Sequence, residues 1–310
     1  MAQKFKYDKK HLPFGHSAAI NDSEVEEFLK FLKFDFVEIL NNTSVVEEFN
    51  NKYKLWIERN SLNSCLGLDK YRYSLYSLGT SESFDKFYIK HKNKRFRCFK
   101  SEYLYHQLSW RNCFDWLYIE DDIIKEGDAV VISIPFADTG DIHNEMKNVM
   151  QRCEEKNIPV LIDCAYYNIS REIEFNFDYN CIEVITFSLS KTFPVAHARI
   201  GLRLTKEDFD DSLFVYDKSS YTNRIGAYIG LNLIRNFSPQ FIVNKYKNKQ
   251  EELCNFLNVA PSKTILFGIS DKDNYKEYNR GGSTNRLGLH KFLNKDISYL
   301  KGTINGSKFS

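Results

Sequence analysis

An α/β fold, with a mostly parallel central sheet flanked by helices and a smaller α+β unit drawn from the two ends of the chain, is what this sequence predicts. Three observations predict it. Short apolar runs recur at residues 95–100, 129–134, 160–163, 183–187 and 200–204, bounded by polar or turn-forming residues as buried strands are. Between two of them, residues 141–157 put Ile142, Met146, Val149 and Cys153 on one helical face, which makes a strand–helix–strand crossover between parallel neighbours. At 310 residues the chain is long enough to bury one large core with a smaller one beside it.

The remaining elements follow in order. Residues 24–40 and 44–58 read as helices, with Val25, Phe28, Leu29, Leu32 and Phe36 near a 3.6-residue period. Residues 71–78 read as a strand that ends at Gly79, where a helix opens. The basic cluster from Lys86 to Lys100 (Lys90, Lys92, Lys94, Arg95, Arg97) spans the end of that helix and the next strand. There cations complement a helix C-terminus and solvate the surface. Residues 235–310, with the cap-like Ser238-Pro239, return to join the N-terminal helices. The expected division is 60–230 for the larger unit and 1–59 with 231–310 for the smaller.

Composition narrows the class. A net charge of +2 lacks the concentrated basic excess of a nucleic-acid-binding surface. The seven cysteines form no Cys-x-x-Cys pair and no His/Cys zinc spacing, which fits reduced thiols in a cytoplasmic protein, with Cys98, Cys164 and Cys181 as buried strand residues. The first ten residues have no apolar signal core, and no stretch is long enough to span a bilayer. The expectation is a cytoplasmic protein with no metal, nucleic-acid or membrane partner.

Residues 188–201 carry the most chemistry. Ser188-Leu189-Ser190-Lys191 sets a lysine beside two serines, and Arg199 follows in the same segment. A lysine can hold an aldehyde cofactor as a Schiff base, and an arginine with a hydroxyl neutralises and positions a phosphate. The segment resembles the cofactor-lysine segment of class I/II aminotransferases, enzymes of fold type I that depend on pyridoxal 5′-phosphate. The resemblance implies that Lys191 is the Schiff-base residue and that Arg199 and Ser188 are phosphate ligands.

Other segments fall in the same family order. The apolar run 159–162 ends in Asp163 and continues Cys164-Ala165-Tyr166, which is similar to the family's Asp-x-Ala-Tyr segment. This implies that Asp163 faces the pyridine nitrogen and keeps it protonated, and that Tyr166 donates its phenol to the cofactor O3′. Leu78-Gly79-Thr80-Ser81 resembles the turn whose amides cradle the phosphate at a helix N-terminus. Residues 99–105 resemble the segment whose aromatic stacks on the cofactor ring, which implies that role for Tyr103. Residues 281–289 resemble the strand carrying the arginine for the substrate carboxylate, here Arg286. Residues 219–227 resemble the loop that reaches a neighbouring site, which implies a homodimer.

The sequence also departs from the family. In 129–140 the strand ends in Ala137-Asp138-Thr139-Gly140, where asparagine and proline are usual in place of Ala137 and Asp138. The asparagine amide would hydrogen-bond the cofactor O3′. Pro194 and His197 stand where small or amide residues are commoner. The resemblance therefore implies an aminotransferase acting on an amino acid or related amine. A decarboxylase or lyase of the same fold, or a catalytically idle subunit, remains open at this point.

Overall fold

The computed structural model describes residues 12–108 and 113–296; the first ten residues, expected to hold no signal core, lie outside them. The chain opens with three helices, α1 (Ser23–Phe31), α2 (Phe36–Asn41) and α3 (Val45–Glu58). The single helix expected over 24–40 is thus two. Asp22 caps α1 through Glu24 N–H and Val25 N–H, and Asp35 caps α2 by accepting from Glu38 N–H at 2.9 Å. A second capping aspartate this close restarts the helix, and the continuous period across it fails: Val25 is buried while Phe36 is exposed.

Strands β1 (Ser64–Leu66) and β2 (Tyr73–Leu78) follow, then α4 (Thr80–Lys90), β3 (Arg95–Cys98), the single turn α5 (Tyr105–Leu108), β4 (Trp116–Tyr118) and β5 (Asp128–Ser133). Next come α6 (Met146–Glu155), β6 (Val160–Asp163), β7 (Glu174–Asn176), β8 (Ile182–Ser188) and β9 (Ile200–Thr205). Seven strands form one sheet in the order β2-β9-β8-β6-β5-β3-β4. The pairs β4–β3, β3–β5, β5–β6 and β6–β8 are parallel, whereas β9 runs antiparallel to both β8 and β2. This is the mostly parallel α/β sheet the sequence predicts. The expected crossover helix is shorter than 141–157, but its buried face is Met146, Val149, Met150 and Cys153, close to the face expected.

Helices α7 (Ser212–Lys218), α8 (Arg224–Asn236) and α9 (Phe241–Leu257) lead to a three-stranded antiparallel sheet of β10 (Ala260–Pro261), β11 (Phe267–Ser270) and β12 (Asn285–Gly288). The α9 N-cap is Gln240, two residues beyond the expected Ser238. Phe14, Phe267 and Leu289 belong to the same apolar core as Val130, Ile162 and Phe187 on the large sheet. No helix among the described residues is long and apolar enough to cross a membrane.

The basic cluster is not simply a solvated surface. Arg97 is 1% exposed and pairs with Asp128 at 2.6 Å, while its other donors reach the carbonyls of Leu117, Tyr118, Asp122 and Ile123. A guanidinium with every direction occupied by acceptors can be buried where an ammonium could not. Lys90 pairs with Glu183 and Arg95 with Asp122 and Asp128. Cys98, Cys164 and Cys181 are buried and form no disulfide, and of the three only Cys98 lies within a strand, the other two flanking β6 and β8.

Candidate active site

In an open parallel sheet the carboxyl ends of the strands are the natural place for a ligand, because the loops leaving them diverge there. Here Ser133 ends β5, Asp163 ends β6 and Ser188 ends β8. Lys191 lies in the connection from β8 to β9, whose ends are pinned by the Ser188–Gly201 pair. Its Nζ donates to the Ser17 carbonyl at 2.8 Å and sits 5.5 Å from the centroid of the Tyr166 ring. The segment containing Ser17 is held from the other side, where Gly288 N–H donates to the Phe14 carbonyl at 2.8 Å.

Electrostatics sort these groups. Burial, and then the nearby charge of Glu102, push the Asp163 carboxyl up to about 8, against the pull of Lys191. Burial alone would raise the Tyr166 phenol, but the charges of Lys191, Arg286 and Arg280 outweigh it and hold that hydroxyl below its ordinary value. Tyr103 is half-exposed, and burial raises its phenol, which also feels the charges of Tyr166, Asp163 and Arg199.

A second group of residues forms where β2 gives way to α4. Gly79 has a φ of 72° and caps α4 without a side-chain acceptor for the first-turn amides. Arg199 Nη2 donates to the Leu78 carbonyl and to Ser81 Oγ, both at 2.9 Å, and Tyr76 Oη donates to the Arg199 carbonyl at 2.9 Å. Arg199 itself takes a left-handed backbone at the entry to β9, with φ 55°. A Cβ at Gly79 would come within 2.4 Å of Arg199 Nη2, so glycine there is what lets the guanidinium lie over the helix start. Thr80 is buried beside it. Ser188 Oγ donates to Ser190 Oγ at 2.8 Å and accepts from Ser190 N–H at 3.1 Å.

These residues fit pyridoxal 5′-phosphate. An arginine, a hydroxyl and uncapped amides at one end suit a dianionic phosphate, and the glycine cradle leaves no side chain to occlude them. A proton-bearing buried acid at the other end suits a basic ring nitrogen, with a lysine amine and a phenol of lowered proton affinity between.

Arg286 projects from β12 toward the same region. Its guanidinium carbon lies 4.5 Å over the Phe267 ring, Nη1 donates to the Ala137 carbonyl, and Nε has no hydrogen-bond partner among the described residues. Burial, with Arg280 alongside, pulls it down to about 10. The departure at Ala137-Asp138 acquires a physical reading here. The Ala137 carbonyl accepts from both Arg286 and Arg280, the latter at 2.8 Å, and buried Asp138 lies 3.8 Å from Arg280. An aspartate in place of proline thus supplies a counter-charge to the arginine pair. Of the other departures, His197 is exposed and Pro194 half-buried.

Sequence reasoning missed several neighbours. Glu102 lies within residues 99–105 beside Tyr103, and an acid amid Phe and Tyr is its signal. Arg280 adjoins the Gly281-Gly282 pair. His16 and His290 had no local signal: their rings lie 5.0 Å apart, and burial, with the charges of His16, Lys291 and Lys191, holds His290 at about 3. A cleft of about 830 Å³ beside α6, lined by Glu120, Asp121, Asp122 and Arg152 among others, contains none of the groups above.

Residues 101–275 match the family model described as aminotransferase class I and II. No curated protein matches the chain in sequence. Among solved structures, the aromatic aminotransferase of Pyrococcus horikoshii is 10% identical with a TM-score of 0.63, covering 94% of this chain and 95% of that one. Histidinol-phosphate aminotransferase of Clostridium acetobutylicum is 15% identical with a TM-score of 0.62, covering 94% and 98%. The pyridoxal-phosphate-bound C-S lyase of Staphylococcus hominis is 12% identical with a TM-score of 0.60, covering 83% and 81%. At such identities the likeness is one of fold.

Proposed function

Since the chain belongs to the aminotransferase class I and II family and takes pyridoxal 5′-phosphate as its cofactor, we propose that it moves an amino group between an amino acid or related amine and a keto acid, with Lys191 as the cofactor lysine. The observation that carries this reading is the convergence of Lys191, Asp163, Tyr166 and Arg199 at the strand ends of one sheet. The bound cofactor supplies an electron sink for the bond broken at the substrate Cα.

The chain's own residues supply the rest. Arg199, Ser81, Ser188 and the amides after Gly79 hold the phosphate, Thr80 backs them, and Tyr103 covers the ring. Asp163 keeps a proton at the ring nitrogen. Tyr166 donates to the phenolic oxygen. Arg286 offers its unpartnered Nε and its remaining donors to the substrate carboxylate. Lys191 Nζ would hold and return the Cα proton. Residues 60–230 form the cofactor-binding unit in this reading, and a homodimer meets through residues 219–227.

Transamination is preferred to decarboxylation because the cationic pocket of Arg286 and Arg280 favours keeping a carboxylate rather than expelling it. The test is to reduce the cofactor-loaded protein with borohydride and to assay a panel of amino acids. Label on Lys191, loss of it in Lys191→Ala and release of a keto acid are expected. Label on another lysine overturns the site, and release of CO₂ or ammonia overturns the reaction.

A further inference from the structure

Two buried carboxyl groups, Glu102 and Asp163, are linked through Ser133 at the ends of β5 and β6, and they are not held alike. Glu102, 0% exposed, accepts from Tyr103 N–H at 2.9 Å, from Ser133 N–H at 2.9 Å and from the Ser133 hydroxyl. Among the described residues the Asp163 carboxyl accepts only from Ala165 N–H, at 3.0 Å. Ser133 connects the two: it is paired with Asp163 across the β5–β6 register while both its polar groups donate to Glu102. Two buried carboxylates that feel each other's charge, as these do, do not both ionise readily, and the one with more donors keeps the charge.

We propose that Glu102 is a positioning residue for Asp163: it stays ionised, its charge keeps a proton on Asp163, and on cofactor binding Asp163 passes that proton to the ring nitrogen and remains as the balancing carboxylate. The inference rests on the assignment of Asp163 made above. No other reactant is needed, since the proton leaves one Asp163 oxygen and is bound at one nitrogen.

The surroundings agree. The groups facing Asp163 are Glu102, the Tyr88 and Tyr103 phenols, the Cys164 thiol and Lys191. Burial raises both phenols and the thiol, so all three are neutral near neutrality and leave Glu102 as the opposing charge. Lys191 acts the other way, but more weakly than Glu102. Burial raises Glu102 as well and leaves it above its ordinary value, but its Ser133 and Tyr103 donors and the charge of Arg280 offset part of that rise, whereas Asp163 has one donor and the charge of Glu102 added to its burial.

The experiment is a carbon-13 carboxyl titration of the cofactor-free full chain, paired with pyridoxal 5′-phosphate binding by intrinsic fluorescence on both sides of pH 8. In the parent, Asp163 is expected to titrate near the value of about 8 set by its surroundings. In Glu102→Gln it should titrate at least about one pH unit lower, and the fall in affinity with rising pH should begin correspondingly earlier. Ser133→Ala leaves the Glu102 carboxyl in place but removes a donor from it, so the proton should move to Glu102 and the Asp163 titration should again fall. This second variant decides the matter if Glu102→Gln does not fold. Asp163 titrating in the ordinary carboxylate range in the parent, or unmoved in the folded variants, overturns the proposal. A parent that shows the coupled titration yet binds no pyridoxal 5′-phosphate would instead overturn the assigned role of the site.

Discussion

Gly79 and Arg199 are mutually dependent: the arginine Nη2 reaches the Leu78 carbonyl and Ser81 Oγ across a space that a single methyl group at position 79 would fill, 2.4 Å from that nitrogen. The positive φ of Gly79 adds backbone strain to any replacement. Gly79→Ala should leave the sheet intact yet weaken pyridoxal 5′-phosphate binding by about tenfold or more. A fluorescence titration of the folded variant checks this, and an unchanged dissociation constant would remove the phosphate from this turn.

Arg286→Lys tests the substrate end. A lysine keeps the charge but loses the planar fork, and its amine cannot both reach the Ala137 carbonyl and clamp a carboxylate. The expected result is a KM raised on the order of ten- to a hundredfold with cofactor affinity unchanged. If kcat falls with KM constant, the arginine orients the reacting bond rather than binding the carboxylate.

Ala137→Asn restores the side chain common in the family. An amide there would donate to the cofactor's phenolic oxygen, now served by Tyr166, and favour its ionised form. The visible absorbance of the bound cofactor should therefore titrate at lower pH in the variant, and Tyr166→Phe should be more damaging in the parent than in the Ala137→Asn background. A titration that does not move would mean that position 137 faces away from that oxygen.

Acid stability follows from two buried histidines. His106 shares a 2.5 Å hydrogen bond with Tyr88, and burial pulls it down to about 3, as it does His290. Each is neutral in the fold but takes a proton in the unfolded chain once the pH passes below its ordinary 6.5. Their contribution is fully present above that value and is lost as the pH falls from 6.5 toward 3, by up to about 1.4 kcal/mol per pH unit for each. Urea midpoints across that window should decline steeply in the parent and less so in His106→Leu; parallel slopes would contradict the argument.

Local pattern made the parallel strands legible, because a run such as 160–163 is apolar on both faces and ends at an acid. It also placed Lys191 after β8 and the helix after Gly79. What it missed depends on residues far apart in sequence. The burial of Arg97 required Asp128 and four carbonyls to meet it, and a count of charges along the chain reads it as surface. The break between α1 and α2 was readable from Asp35, but periodicity across it was stronger than a single capping residue. Glu102 could be seen as an acid among aromatics, although its relation to Asp163 exists only once Ser133 lies between them.

The strap formed by Phe14 and Ser17 has an implication for biosynthesis. One of its ties is to Lys191 and the other to Gly288, so the earliest-translated part of the described chain is seated by some of the latest. While the chain is still emerging, the large sheet can assemble with its lysine uncovered, and only after residues 285–288 leave the ribosome does the strap gain its second tie. Chains stalled before that point should therefore be cleaved by protease between Phe14 and Ser17 more readily than the finished protein.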